Sequence, residues 1–146
     1  MNILMIFRNN PFEASGAVTL DLFNEFKSKG HNVRLLVNQY NADYPADIIS
    51  METNYLFWKK KIINKLKRIF GLNNKINTNK RYHFHDINLQ KTFYKSGKLL
   101  KKANIKPDAI ILLFSNNFIN ARNIYELHKL TGKPVFKMMY DTAPLT

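Results

Sequence analysis

Apolar residues fall along the chain in short runs separated by amphipathic stretches, and that alternation predicts an α/β fold. Asn2-Ile3-Leu4-Met5-Ile6-Phe7 is apolar on both faces, the pattern of a strand buried on both sides of a parallel sheet. Beyond a polar loop, Arg8 to Gly16, apolar residues recur at Val18, Leu22, Phe23 and Phe26, which puts them on one face of a helix. Lys29-Gly30 closes that helix, and Val33 to Val37 is the second strand, completing a βαβ unit. Asn38 to Ser50 reads as a polar connection, and Tyr55 to Phe70 as a helix ended by Gly71. Leu72 to Arg81 is a polar loop, and His83-Phe84-His85 alternates as a short strand would. Leu89 to Ala103 is a helix, and Ala109 to Phe114 is a buried strand. Ile119 to Leu130 is a helix with Ile124, Leu127 and Leu130 inward, closed by Thr131-Gly132-Lys133-Pro134, and Val135 to Tyr140 is the next strand. The order predicts one doubly wound, mostly parallel Rossmann-like sheet, with the loops after Phe7, Phe114 and Tyr140 lining one cleft at its carboxyl edge.

Composition narrows the picture. A chain of 146 residues, 45% of them hydrophobic, is long enough for one domain with a real core. Without cysteine it has no disulfides, thiol nucleophile or cysteine-ligated zinc. His83 and His85 with Asp86 nearby make a poor metal set, so no metal is expected. The longest apolar run is far too short to span a bilayer, and the first residues lack the basic leader of a signal peptide; a cytoplasmic location is expected.

Charge is unevenly placed. The net charge is +13, and residues 51–106 carry fifteen Lys and Arg against Glu52 and Asp86, while elsewhere the signs cancel. Within that basic segment, read as an insertion over 51–96, Trp58, Ile62, Leu66 and Ile69 fall at helical spacing. Lys59, Lys60, Lys61, Lys65, Lys67 and Arg68 lie between them. Such a helix suits the interface of an anionic membrane, with Trp58, Lys59, Lys60, Lys61, Lys65 and Arg68 as its contacts. Each cation is worth about 1 kcal/mol near an anionic surface, so six supply roughly 6 kcal/mol at most before screening. The competing reading is a helix packed on the domain with a solvated basic face. Aromatic and basic residues match no recognisable nucleic-acid module, so no nucleic-acid partner is expected.

Ser15-Gly16-Ala17 lies where the first helix begins. Unpaired N–H groups there favour a phosphate, and glycine lets a ligand approach the backbone. The alternative is that Ser15 is an N-cap and Gly16 a tight turn. The three-glycine dinucleotide fingerprint is missing, which disfavours a nicotinamide dehydrogenase.

Four features in order resemble the amino-terminal domain of GT-B-fold glycosyltransferases, most closely the retaining family 4 type. They are Pro11 and Glu13 ahead of Ser15-Gly16-Ala17, Lys29-Gly30-His31-Asn32-Val33, Pro107-Asp108-Ala109-Ile110, and Tyr140-Asp141-Thr142-Ala143-Pro144-Leu145-Thr146. Residues 51–100 have no counterpart. The resemblance implies a transferase that moves a sugar from a nucleotide-diphosphate donor to a glycan acceptor, here a lipid-linked one in cell-surface polysaccharide synthesis. The donor is a co-substrate, and no cofactor is implied. Ser15, Gly16 and Ala17 would face the donor diphosphate, and Asp141 and Tyr140 the transferred sugar. Members of the family usually carry glycine at the position of Ser15 and histidine at that of Tyr140. Most donor contacts in such enzymes lie on a second Rossmann-like domain, which this chain is expected to lack, and the first domain is itself expected to be truncated. The full enzyme would sit peripherally on the inner face of the plasma membrane. An alternative is a non-catalytic, membrane-recruiting or acceptor-binding module of a split transferase.

Overall fold

In a computed structural model, which describes residues 1–69, 94–113 and 119–138, five strands form one parallel sheet. The strands are β1 (Asn2–Phe7), β2 (Asn32–Val37), β3 (Ile48–Ser50), β4 (Ala109–Leu113) and β5 (Val135–Lys137), in the spatial order β3-β2-β1-β4-β5. The helices are α1 (Ala17–Ser28), α2 (Asn54–Ile69), α3 (Ser96–Ala103) and α4 (Ala121–Thr131). The doubly wound parallel architecture expected from the sequence is present.

Alternation along β1 splits the core in two. Ile3, Met5 and Phe7 point to one face with Val33, Leu35, Val37 and Leu113, where Phe23 of α1 covers them. Leu4 and Ile6 point to the other with Leu36, Ile110 and Leu112, covered by Leu99 and Ala103 of α3 and Leu127 of α4. Burial of β1 from both sides is what its unbroken apolar run requires. On the α1 side the cover stops short of β5, where Phe136 is 56% exposed. The register pairs Phe7 with Val37 and with Leu113, and Val37 with Ser50, so the strands end level along one edge.

The helix ends follow local rules. Gly30 and Gly132 take positive φ (80° and 65°) just past α1 and α4, a conformation that costs glycine little. Asn120 caps α4 by accepting from the Asn123 N–H at 3.0 Å, and Asn123 returns the bond to the Asn120 N–H at 3.4 Å. Asp108, next to Pro107, fastens the opposite edge: its carboxylate accepts from Asn2 N at 2.8 Å, and its own N–H donates to Asn2 O at 2.7 Å.

Several expectations are corrected. Asn38 to Ser50 is not wholly loop, because Ile48–Ser50 pairs with β2. Val18 is exposed; α1 buries Phe23 as expected, and Thr19 besides. Leu130, in the last turn of α4, is 60% exposed, whereas Leu127 is inward as expected and Asn123 is buried with it. The third helix begins at Ser96, after Lys95 in an extended conformation. The expected strand at His83-Phe84-His85, the loop from Leu72 to Arg81, Gly71 and the loop after Phe114 lie outside the described residues.

Candidate functional site

The carboxyl edge is where the fold places a site. From the middle of the sheet, β1 is followed by α1 on one face, while β4 is followed by α4 on the other. Chain directions therefore diverge between β1 and β4, the position at which open α/β sheets form a crevice.

The loop after β1 is shaped by its own hydrogen bonds. Asn10 accepts from Phe12 N at 3.1 Å and donates to Glu13 Oε1 at 3.4 Å, and Glu13 N donates to Asn10 O at 3.3 Å. A single 3-10 turn, Ala14–Gly16, follows, and the residue capping α1 is Gly16 rather than Ser15. Gly16 N donates to Glu13 O at 2.7 Å, and Ala17 N donates to Ala14 O. Gly16 is buried, and a Cβ there would stand 2.4 Å from both Cα and O of Pro11. The missing side chain is thus accounted for by Pro11, and the Gly16 and Ala17 amides are used within the loop. In this arrangement neither amide is open to a phosphate. A second polar group is nearby in sequence: Thr19, in the first turn of α1, is fully buried, and among the described residues its hydroxyl has no hydrogen-bond partner.

Beyond β2 and β3 the edge is lined by phenols and amides, with a few charged side chains among them. The Tyr44 hydroxyl donates to Asn10 Oδ1 at 3.3 Å, and its ring stacks on Phe12 with centroids 6.0 Å apart. The Tyr94 hydroxyl donates to Asn38 Oδ1 at 3.3 Å. Glu52 N donates to Asn38 O at 3.3 Å and to Ser50 Oγ at 3.1 Å, holding the chain turn after β3. The Glu52 side chain is only 10% exposed and accepts from the Lys60 ammonium of α2. Burial, reinforced by Glu13, pushes the Tyr44 phenol up to about 12. Burial and then Glu52 raise Tyr94, with Lys60 acting the other way. Both phenols therefore stay neutral donors throughout the physiological range. A shallow depression of about 250 Å³ opens here, lined by Tyr40, Asn41, Tyr44, Ser50, Glu52 and Lys102 among others.

These groups make a hydrogen-bonding surface of neutral phenols and amides, with the Glu13 and Glu52 carboxylates and the Lys102 cation at its borders, suited to a hydroxyl-rich ligand. Among the described residues no group of three or more His, Asp or Glu is placed to hold a metal ion. Tyr140, Asp141 and the Ser15 side chain, expected to meet the donor and the transferred sugar, lie outside what the structure describes. Trp58, Lys59, Lys60, Lys61, Lys65 and Arg68 all lie on α2, away from the β1/β4 crevice in sequence and tied to the edge through Lys60. The sequence reading passed over Asn38, Tyr44, Glu52 and Tyr94. The available signal was a tyrosine- and asparagine-rich stretch, Asn38 to Tyr44, directly after a buried strand. Among the described residues no helix is long and apolar enough to cross a membrane. Comparison with protein families, with curated proteins and with solved structures finds no match to this chain.

Proposed function

We propose that this chain is the acceptor-side Rossmann-like half of a nucleotide-sugar-dependent glycosyltransferase. The observation that carries the reading is the level carboxyl edge of a parallel sheet whose winding reverses between β1 and β4, bordered by neutral phenols and amides. Sugar hydroxyls are both donors and acceptors, and Tyr94, Tyr44, Asn10 and Asn38 offer both. The resemblance in motif order adds the donor class. In this reading Gly16 shapes the wall of the cleft by admitting Pro11, and the donor diphosphate is gripped chiefly by a companion domain. Positioning of two substrates and neutralisation of the leaving diphosphate then need both halves.

Two measurements test this. Amide and side-chain chemical shifts of the chain, titrated with short oligosaccharides, should move at Asn10, Asn38, Tyr44 and Tyr94. Tyr44→Phe with Tyr94→Phe should weaken that response about tenfold, the loss of two hydrogen bonds worth roughly 0.5–1.5 kcal/mol each. Shifts confined to other parts of the chain would overturn the acceptor role. Reading the gene beyond Thr146 separates the classes: a second Rossmann-like half with paired glutamates supports the transferase, and a stop codon supports a binding module that works with a partner chain.

A further inference from the structure

We infer that α2 docks the protein on anionic phospholipid, lying in the bilayer interface with one apolar stripe inserted. The inference stands apart from the transferase reading and rests on the helix itself. Tyr55, Trp58, Ile62, Leu66 and Ile69 follow one another at intervals of three and four residues, which aligns them along a single stripe. Every side chain described on α2 is exposed, and these five are 71%, 54%, 57%, 47% and 66% exposed respectively. A helix packed on its own domain with a solvated basic face would bury that stripe, and among the described residues nothing covers it.

The back of the helix fixes which way the stripe points. Lys60 lies on the side opposite Ile62 and Leu66, and its ammonium binds the nearly buried Glu52 carboxylate just after β3. That tether holds α2 to the sheet edge by its rear face and leaves the stripe directed outward. Lys61, Lys65 and Arg68 line one margin of the stripe and Lys59 the other, and α2 contains no acidic residue at all. Lys59 and Lys61 stand over the rings of Tyr55 and Trp58, at 5.8 and 5.2 Å. An aromatic start, an aliphatic middle and cationic margins match the depth profile of an acidic headgroup layer over acyl chains.

Charge chooses this occupant over the others. A second copy of the chain would bring six more cations against these six, with nothing on either α2 to offset them. A nucleic acid would satisfy the cations and leave five apolar side chains in water or against phosphates.

The experiment uses the chain's single tryptophan, which sits in the stripe. Vesicles of phosphatidylcholine alone, and of phosphatidylcholine with an equal part of phosphatidylglycerol, are titrated into the 146-residue protein while Trp58 emission is followed. The expected result is a blue shift with anionic vesicles only, and quenching when the acyl chains carry bromine. Reversing Lys61, Lys65 and Arg68 to Glu should weaken partitioning by about 100-fold or more. Ile62→Glu with Leu66→Glu should abolish the bromine quenching. Both variants keep the wild-type circular dichroism and melting temperature, since the altered side chains are exposed. Unchanged emission with anionic vesicles, an equal response to neutral ones, or a shift produced by duplex RNA but not by lipid would overturn the inference.

Discussion

Replacing Gly16 with alanine distinguishes two reasons for a glycine at the start of α1. If the glycine exists to let a ligand approach, Gly16→Ala leaves the free protein as stable as before. If it exists for Pro11, the variant is destabilised with no ligand present. The added Cβ would fall 2.4 Å from Pro11 Cα and O and 2.6 Å from its carbonyl carbon, all backbone atoms that cannot swing aside as a side-chain tip would. At φ −100° and ψ −10° the residue itself suits alanine, so the penalty is steric, and the stiffer unfolded chain returns about 0.4–1 kcal/mol. Overpacking costs typically about 1–3 kcal/mol, and backbone neighbours put this case at the upper end, for a net loss of about 2 kcal/mol. For a domain of this size that lowers Tm by roughly 4–8 °C. Urea and thermal unfolding followed by far-ultraviolet circular dichroism read it directly. Gly97→Ala is the matched control: among the described residues nothing lies within 4 Å of its Cβ position in the exposed start of α3, so helix propensity should raise stability by about 0.5–1 kcal/mol. A Gly16→Ala protein that melts with the wild type, while Gly97→Ala melts higher, would refute the steric account and return Gly16 to the ligand.

Other outcomes follow from buried polar groups and titration. Asn123, fully buried, donates to Tyr94 O and Ser96 Oγ, both at 3.0 Å, so Asn123→Ala should cost about 2–4 kcal/mol in urea unfolding by stranding both partners. Thr19→Val removes, at nearly constant volume, a buried hydroxyl with no partner among the described residues and should raise stability by about 1 kcal/mol in the same assay. The Asp47 carboxyl is held below its usual range by its bond to Lys27, with Arg34 adding to it, and Glu126 is held low by Arg122 and then Ser96. Depressed carboxylates contribute above their unfolded pKa near 4 and lose that contribution as pH falls below it. The urea midpoint should therefore drop below about pH 4, and less steeply in Asp47→Asn with Glu126→Gln. At the alkaline end the Tyr44 phenol, raised from 10.0 to about 12, favours the folded state until pH rises through that interval. Phenolate absorbance should lose a late-titrating component in Tyr44→Phe.

How much of this was legible in the sequence depends on whether the determinant was local. Strands β1 and β4 are read correctly because burial on both faces demands an apolar run with no polar break, and β2 because Val33 and Leu35 to Val37 stay apolar around Arg34, which reaches out to Asp47. The glycines after α1 and α4 mark helix ends because their conformation is set within a turn. Strand β3 escapes detection because Ile48-Ile49-Ser50 is too short to show a period, and it exists through pairing with β2. Periodicity also cannot tell how wide a helix's buried face is or where it is centred, so Val18 and Leu130 are read as inward although both side chains are exposed. At the site, Tyr44 reaches Asn10 across 34 residues and Tyr94 reaches Asn38 across 56, separations at which no local pattern speaks. The glycine at position 16 was visible in the sequence, but a ligand and Pro11 leave the same signature.

Among the described residues the outermost strands, β3 and β5, are three residues each. A neighbouring polypeptide seeking to extend the sheet thus meets a rim with few unpaired amides and carbonyls, and at β5 an exposed lysine, Lys137, as well. Crowded copies should accordingly resist stacking rim to rim into cross-strand fibrils, which leaves the broad surfaces, not the margins, as the places where this protein meets others.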